Sequence, residues 1–356
     1  MYSRQINPPP TSLIKNGKPV FGTFSGHVSK LDIRGLHGPF GGVPLPSIVT
    51  NFRIKSSISF VFSFGPFIIS IIFFDAKLFG FAEINIWNEE TGRKYIYKAI
   101  MGPRRRFIPH NMEQGFCASF NRHRYVRISW DRRRDRISLI FNLKGDSARP
   151  SVQAAFTGHY SDPSTVETTH CVPLKTWRRC SASCQSSVKF YGSLTFEKTS
   201  KSMAQTYSEK EGQGLFVVTR SYLGYITYSQ TIYASGIYKN HNISFVLENF
   251  CSDFQECEFA DRNALFVDGK FTPLPPVKMT QPFGISKKWI IQDTENMVDL
   301  TFEPVSNNFR ELSAFITKIQ LNIIYGKFEG VFKTKDGEDI RIAGFGGIAR
   351  DQMLRI

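Results

Sequence analysis

The stretch that decides the fold is Ser56-Ser-Ile-Ser-Phe-Val-Phe-Ser-Phe-Gly-Pro-Phe-Ile-Ile-Ser-Ile-Ile-Phe-Phe74. It carries no charge and is long enough to cross a bilayer as a helix, which takes about 20 residues. Its period says otherwise. Ile58, Phe60, Phe62 and Phe64 alternate with Ser57, Ser59, Val61 and Ser63, the two-residue repeat of a strand with one apolar face. Gly65-Pro66 interrupts the middle, where a helix would lose a backbone hydrogen bond. The segment is read as two buried strands joined by a turn, and no transmembrane segment is expected.

Working outward, the same signals recur. Ile84 to Tyr97 is two alternating runs around a Gly turn, and Trp289 to Phe302 is another pair. Asp268-Gly269 and Asp336-Gly337 sit between apolar runs, the two-residue turn signal of a hairpin. Short strands with turns every 8–12 positions indicate a barrel or sandwich. Asn308 to Gln320 is open between a short helix and a strand. With 356 residues, two domains or one large β domain are expected, at about 150 residues per domain. The polar stretch Glu197 to Gly214 is the linker candidate, which divides the chain into lobes 1–200 and 201–356. Gly22-Thr-Phe24-Ser-Gly26 is echoed by Gly326-Lys-Phe328-Glu-Gly330, as two related β lobes would leave behind. The expected fold is all-β, with two antiparallel barrel or sandwich lobes.

Composition narrows the function. The net charge is +15 and 21% of residues are charged, too balanced along the chain for disorder. The excess concentrates between Arg104 and Arg136, where ten arginines oppose Glu113, Asp131 and Asp135. Arg104, Arg105, Arg106, Arg132, Arg133 and Arg134 are the candidate anion-binding residues. Solvated arginines at strand ends are the simpler explanation. The first ten residues lack an apolar core, so no secretory signal is expected and the protein is placed in the cytoplasm. The six cysteines then stay reduced.

Catalytic signatures are few. His170, Cys171, Cys180 and Cys184 fall within 15 residues, but His170 and Cys171 are adjacent, and zinc sites show two tight pairs flanking a loop. No metal and no cofactor are assigned. There is no Gly-x-Ser-x-Gly elbow, redox Cys-x-x-Cys, phosphate loop or dinucleotide fingerprint. Glu83 and Asp299 lie inside apolar runs and are the candidate general acids, because a carboxyl facing a greasy cavity is held protonated. Phe81 and Asn85 share the Glu83 face, and Ala82, Ile84 and Ile86 take the other. Tyr222, Tyr225, Tyr228 and Tyr233, with Trp289, are the candidate ligand-binding aromatics.

The second half carries a resemblance. Asn263-Ala-Leu-Phe-Val-Asp-Gly269, Trp289-Ile-Ile, Val298-Asp-Leu-Thr-Phe-Glu-Pro304 and Tyr325-Gly-Lys-Phe-Glu-Gly330 follow in order, preceded by Tyr233-Ala-Ser-Gly236. Together they resemble the C-terminal half of the domain of unknown function 2804 family. Gly17-Lys-Pro-Val-Phe-Gly22, Val172-Pro173 and Lys189 match it more loosely. Two departures stand out: no acid stands near Gly347, and the approach to Ala-Ser-Gly reads Arg220-Ser-Tyr-Leu-Gly-Tyr225. By fold the family resembles two-lobed lipocalin-like proteins that include carotenoid hydratases, tocopherol cyclases and fungal pericyclases. That resemblance implies two barrel-like lobes and an apolar cavity.

Three function classes follow. The first is binding of a hydrophobic small molecule, a lipid or isoprenoid, in a barrel cavity. The second is a cofactor-independent isomerase, hydratase or cyclase using Glu83 or Asp299. The third is a basic-surface module for an anionic membrane or nucleic acid. Nucleic acid ranks lowest, since nothing in sequence beside the arginines supplies a stacking platform.

Overall fold

The structure is a computed structural model; it describes residues 4–41, 45–77, 79–102, 107–174, 176–197, 204–250, 261–314 and 317–355. The chain opens with β1 (Ile6–Asn7), β2 (Ile14–Lys15), β3 (Lys18–Pro19) and β4 (Gly22–Ser25), then one short helix, α1 (Ser47–Phe52). Two pairs of neighbours follow: β5 (Ile54–Phe64) with β6 (Phe67–Asp75), and β7 (Gly80–Asn88) with β8 (Lys94–Met101). Next come β9 (Gln114–Asn121), β10 (Arg124–Asp131), β11 (Arg136–Leu143) and β12 (Val152–Gly158). Then β13 (Val166–Leu174) leads to the long β14 (Thr176–Phe196) and β15 (Gln205–Tyr222). These strands form the first sheet, in the order β8-β7-β6-β5-β15-β14-β12-β11-β10-β9, with β13, β4 and β1 attached beside β14. Only β2 and β3 stand apart, as a separate two-stranded ribbon. The first sheet curls into a nearly closed barrel.

The second sheet is built from the rest of the chain. Its strands are β16 (Ile226–Tyr238), β17 (His241–Phe250), β18 (Ala264–Val267), β19 (Lys270–Pro273) and β20 (Val277–Thr280). They continue with β21 (Trp289–Asp293), β22 (Val298–Ala314), β23 (Thr317–Lys333) and β24 (Asp339–Arg355). The order is β19-β18-β17-β16-β24-β23-β22-β21-β20, a curled half-barrel. The protein is thus all-β with two lobes. Among the described residues no helix is long and apolar enough to cross a membrane.

The deciding stretch is β5 and β6, paired from Ser56↔Asp75 to Phe64↔Phe67 around Gly65, whose φ is 56°. A positive φ at the first turn residue matches the strand twist and favours Gly. Asp268 (φ 48°) and Gly269 (φ 78°) form the expected tight turn between β18 and β19. Residues 308–314 and 317–320 are strand, within the long β22–β23 hairpin.

Two expectations need correction. The polar stretch Glu197 to Gly214 is not a linker where it is described: from Gln205 onward it is β15, paired with β14 and from Gly212 with β5 as well. Its polar residues flank a strand whose apolar run, Leu215 to Val218, is buried. The chain changes sheet later, between Tyr222 and Ile226. The glycine echo is not matched in structure either. Gly22–Ser25 is a short strand beside β1 and β13, whereas Gly326–Gly330 lies inside β23.

Three apolar clusters hold the molecule. The inside of the first sheet is packed by rings such as Phe60, Phe62, Phe64, Phe156, Phe190 and Trp130. The second sheet closes over Phe245, Trp289, Phe302, Phe328 and Phe345. Between the sheets lies a third cluster: Val61, Ile72, Phe81 and Trp87 from the first meet Val246, Leu321, Tyr325 and Ile348 from the second. Period 2 produces this arrangement: in β5 and β7 one face feeds the first cluster and the other faces the second lobe.

Candidate functional site between the lobes

The layer between the sheets mixes apolar and polar side chains. β5 contributes Ser59, β6 Ser70 and β7 Glu83, all buried. Across from them β24 contributes Arg350, β16 Tyr233 and β17 Glu248. Alternation again places them, since Arg350 shares its face with Ile348 and Leu354 of the inter-lobe cluster.

A partly open cavity of about 90 Å³ sits in this layer. Its apolar wall includes Ile72, Phe74, Phe81, Leu321 and Leu354, and its polar wall includes Ser59, Tyr233, Glu248, Arg262 and Arg350. The inside of the first barrel is instead filled with phenylalanines, so the cavity described here lies between lobes rather than within one.

Arg350 is the most informative residue of the wall. It is 6% exposed. Its Nη1 donates to Ser59 Oγ at 2.6 Å and its Nη2 to Ser70 Oγ at 3.2 Å. The guanidinium lies over the Tyr233 ring, 4.6 Å from the centroid. Its Nε has no hydrogen-bond partner among the described residues, and neither does it form an ion pair there. Burial pulls its pKa below the usual arginine range, while the neighbouring Tyr233, Tyr325 and Glu83 favour the charge. Arginine stays charged even so. A buried cation whose direct contacts are neutral hydroxyls and a ring is expensive. Arg262 differs, for it is paired with Glu248 and donates to Ser181 Oγ.

Glu83 lies beside this site but does not line the cavity. It is fully buried and shares its face with Phe81, Asn85 and Trp87. Burial raises its pKa, and the Arg310 guanidinium with which it pairs works the other way. Asn308 Nδ2 also donates to Glu83 Oε1, at 3.1 Å. The carboxylate therefore ties β7 to β22 across the lobes.

The other sequence-predicted residues are scattered. Asp299 is on the exposed face of β22 and accepts from Gln292 Nε2 at 2.9 Å. Of the four tyrosines only Tyr233 lines the cavity. Tyr222 faces the first-lobe core against Phe40, while Tyr225 and Tyr228 are exposed. Trp289 is in the second-lobe core, its Nε1 donating to the Ile285 carbonyl at 2.9 Å. Arg104, Arg105 and Arg106 lie outside the described residues. Arg132 is not part of an exposed belt: its guanidinium pairs with Glu167 at 2.5 Å and covers the Tyr160 ring. Arg133 and Arg134 are exposed. The buried Glu167 attracts Arg132 inward, because an unpaired buried carboxylate costs several kcal/mol, roughly.

Of the cysteines, Cys117, Cys171, Cys180 and Cys184 are free and buried, and Cys251 and Cys257 lie outside the described residues. His170 is completely buried. Its Nδ1 donates to the Asp261 carbonyl at 3.0 Å, so Nε2 accepts from Thr168 Oγ1 at 3.1 Å. No group of three potential ligands is gathered among the described residues.

Sequence reading missed Arg350, Ser59 and Ser70. The available signal was a lone arginine at the inward parity of an apolar strand, Gly347-Ile-Ala-Arg350, with serines at the matching parity of β5 and β6.

Residues 4–355 match the family described as Domain of unknown function (DUF2804). The chain belongs to that family. Comparison with the curated proteins gives no match. Among solved structures it is similar to kievitone hydratase from Nectria haematococca, at 11% identity and a TM-score of 0.47, over 85% of this chain and 88% of that one. A likeness of that size fixes neither ligand nor chemistry.

Proposed function

We propose that this family member binds a small amphipathic acid between its lobes, with the acidic group at Arg350 and the apolar part along Phe74, Phe81 and Leu354. The observation that carries this reading is the buried Arg350 guanidinium, lining a cavity without a carboxylate partner among the described residues. An incoming anion would supply the missing charge and a strong, charge-assisted hydrogen bond.

Size sharpens the ligand class. An engineered apolar cavity of about 150 Å³ takes a benzene ring. A cavity of about 90 Å³ takes only the head of a longer molecule, so a lipid or isoprenoid tail must leave through the open side. The hydratase or cyclase alternative needs an acid facing the ligand. Glu83 does not line the cavity, and Glu248 is occupied by Arg262, so binding without conversion is the better-supported reading.

Titration with 11-(dansylamino)undecanoic acid and its methyl ester tests this. The acid is expected to bind more tightly than the ester, and Arg350→Met to weaken the acid by about 10–100-fold, the worth of a charged hydrogen bond, while leaving the ester unchanged. Leu321→Trp, which fills the cavity, should weaken both. Equal binding of acid and ester to the wild type would refute the reading. Mass spectrometry of the recovered probe checks for conversion.

A further inference from the structure

The helix α1 turns its apolar residues outward. Ile48 is 83% exposed, Val49 49% and Phe52 42%, with Leu45 just upstream at 43%. The buried side chain of the helix is polar, Thr50, whose hydroxyl donates to the Ser47 carbonyl. An amphipathic helix of a globular domain normally points the other way. Single exposed apolar residues need no explanation, but four within eight positions make a patch.

The surroundings of the patch are cationic. Lys55 is buried, its Nζ donating to the Phe52 and Ala76 carbonyls, so the outward charge comes from its neighbours: Arg53, half-buried, donates to the Leu223 carbonyl at 3.3 Å. Arg179 is near enough to Arg53 for their charges to repel, and Lys77 does the same to Lys55. Arg178 is exposed next to Arg179. Asp75 is the acid in this group, paired with Lys77 at 2.8 Å. Tyr225, exposed and beside Arg53, adds an amphipathic ring of the kind that settles at a membrane–water interface.

The patch is also continuous with the inter-lobe cavity. Lys55 and Leu223 both line that cavity; Lys55 bonds the Phe52 carbonyl at the end of α1, and Leu223 accepts from Arg53, the residue that follows the helix.

From the outward apolar helix, its basic surround and its place at the cavity, we infer that α1 docks this protein on an anionic phospholipid bilayer. Apolar side chains enter the headgroup boundary while the exposed Arg178, with the half-buried Arg53, Lys77 and Arg179, meets the negative surface. A protein partner fits less well, since a stable interface buries roughly 800 Å² per side, more than three side chains of a six-residue helix and Leu45 beside it present. The inference goes beyond ligand binding: it names the surface from which an amphipathic acid would reach the cavity.

Vesicle flotation tests it. Wild-type protein should float with phosphatidylcholine vesicles containing phosphatidylserine and not with phosphatidylcholine alone, and binding should fall with salt. Ile48→Asp with Val49→Asp should lower partitioning at least about tenfold, by removing buried apolar area and adding like charge. Arg178→Ser with Arg179→Ser should weaken binding and flatten its salt dependence, a second test if the first variant misfolds. Phe309→Asp, at an exposed position of β22, should bind as the wild type does. Equal binding to neutral vesicles, equal loss in Phe309→Asp, or a wild-type dimer split by Ile48→Asp would each overturn the inference. Leu321→Trp separates the two readings: it should weaken probe binding and leave flotation intact.

Discussion

The two faces of β5 meet different worlds. Ile58, Phe60, Phe62 and Phe64 point into the first lobe and join its apolar cluster, with Phe60 and Phe62 stacked at 5.0 Å and Phe62 edge-on to Phe156 at 5.0 Å. Ser59 and Val61, one residue out of phase, point at the second lobe and join a layer that holds Arg350, Tyr233 and the Glu83–Arg310 pair. The dry side gains from every buried methylene. The polar side must offset desolvation with hydrogen bonds. The interior of the lobe therefore stabilises by packing, and the seam between lobes by pairing its buried polar groups.

The largest expected effect breaks the dry side. Phe62→Ala removes a fully buried ring from a cluster of rings and should destabilise by about 3–5 kcal/mol, as large core truncations do. Thermal and urea unfolding would measure it. A loss below about 1 kcal/mol would mean that this interior is loosely packed and that the contrast with the seam is overstated.

The seam answers differently to truncation. Arg310→Met alone strands the buried Glu83 carboxylate, and a loss of about 3 kcal/mol is expected. Adding Glu83→Leu should restore most of it, because a hydrophobic pair replaces a buried ion pair at little net cost. A double-mutant cycle on urea midpoints reads this directly. Simple additivity of the two single losses would show that the charges do not act as a pair.

The strand parity was legible in the sequence and its consequence was not. Ile58 to Phe64 specified a strand with an apolar face, and Gly65-Pro66 specified the turn. Serines on the other face do not say what covers them, because a short hydroxyl is equally at home in water and against a buried guanidinium. The partner that decides between them, Arg350, lies 291 positions from Ser59. Alternation left the face of Glu83 open, since both parities of its run are largely apolar; the structure buries it against Arg310 from β22, which fills the place a ligand was expected to take. The tyrosine series Tyr222 to Tyr233 misled for a related reason. Local spacing cannot show that the chain changes sheets within it, between Tyr222 and Ile226.

Acid is a gentler probe of the seam. His170 reaches across to the Asp261 carbonyl and the Phe271 ring, and burial pushes its pKa down to about 3 from 6.5. Below pH 6.5 the unfolded chain takes up a proton that the folded chain refuses until about pH 3. Stability is therefore present above 6.5 and falls as pH drops through that window. At pH 5 the loss is about 2 kcal/mol, from 1.36 kcal/mol per unit. His27 works in the opposite sense, since Glu167 raises its pKa, so the measurement is the difference between wild type and His170→Gln. The variant's stability should fall less between pH 7 and 5 by about that 2 kcal/mol. Parallel curves would mean that the imidazole is not held neutral.

The smallest expected effect is at Asp299, and it is informative because it is small. This carboxylate was one of two candidate acids, chosen because Met297-Val-Asp-Leu-Thr-Phe302 is apolar around it. Alternation in β22 sends Val298 and Leu300 inward and leaves Asp299 outside, hydrogen-bonded by Gln292 from the neighbouring strand. An exposed neutral-to-charged hydrogen bond of this kind is weak, and surface substitutions usually fall within about 0.5 kcal/mol. Asp299→Asn keeps the shape and an acceptor oxygen, so unfolding midpoint and probe affinity should both match the wild type within error. A change in probe affinity without a change in stability would bring Asp299 to the ligand and move the binding site out of the seam. A change in stability alone would show that the outer face of β22 is covered in solution.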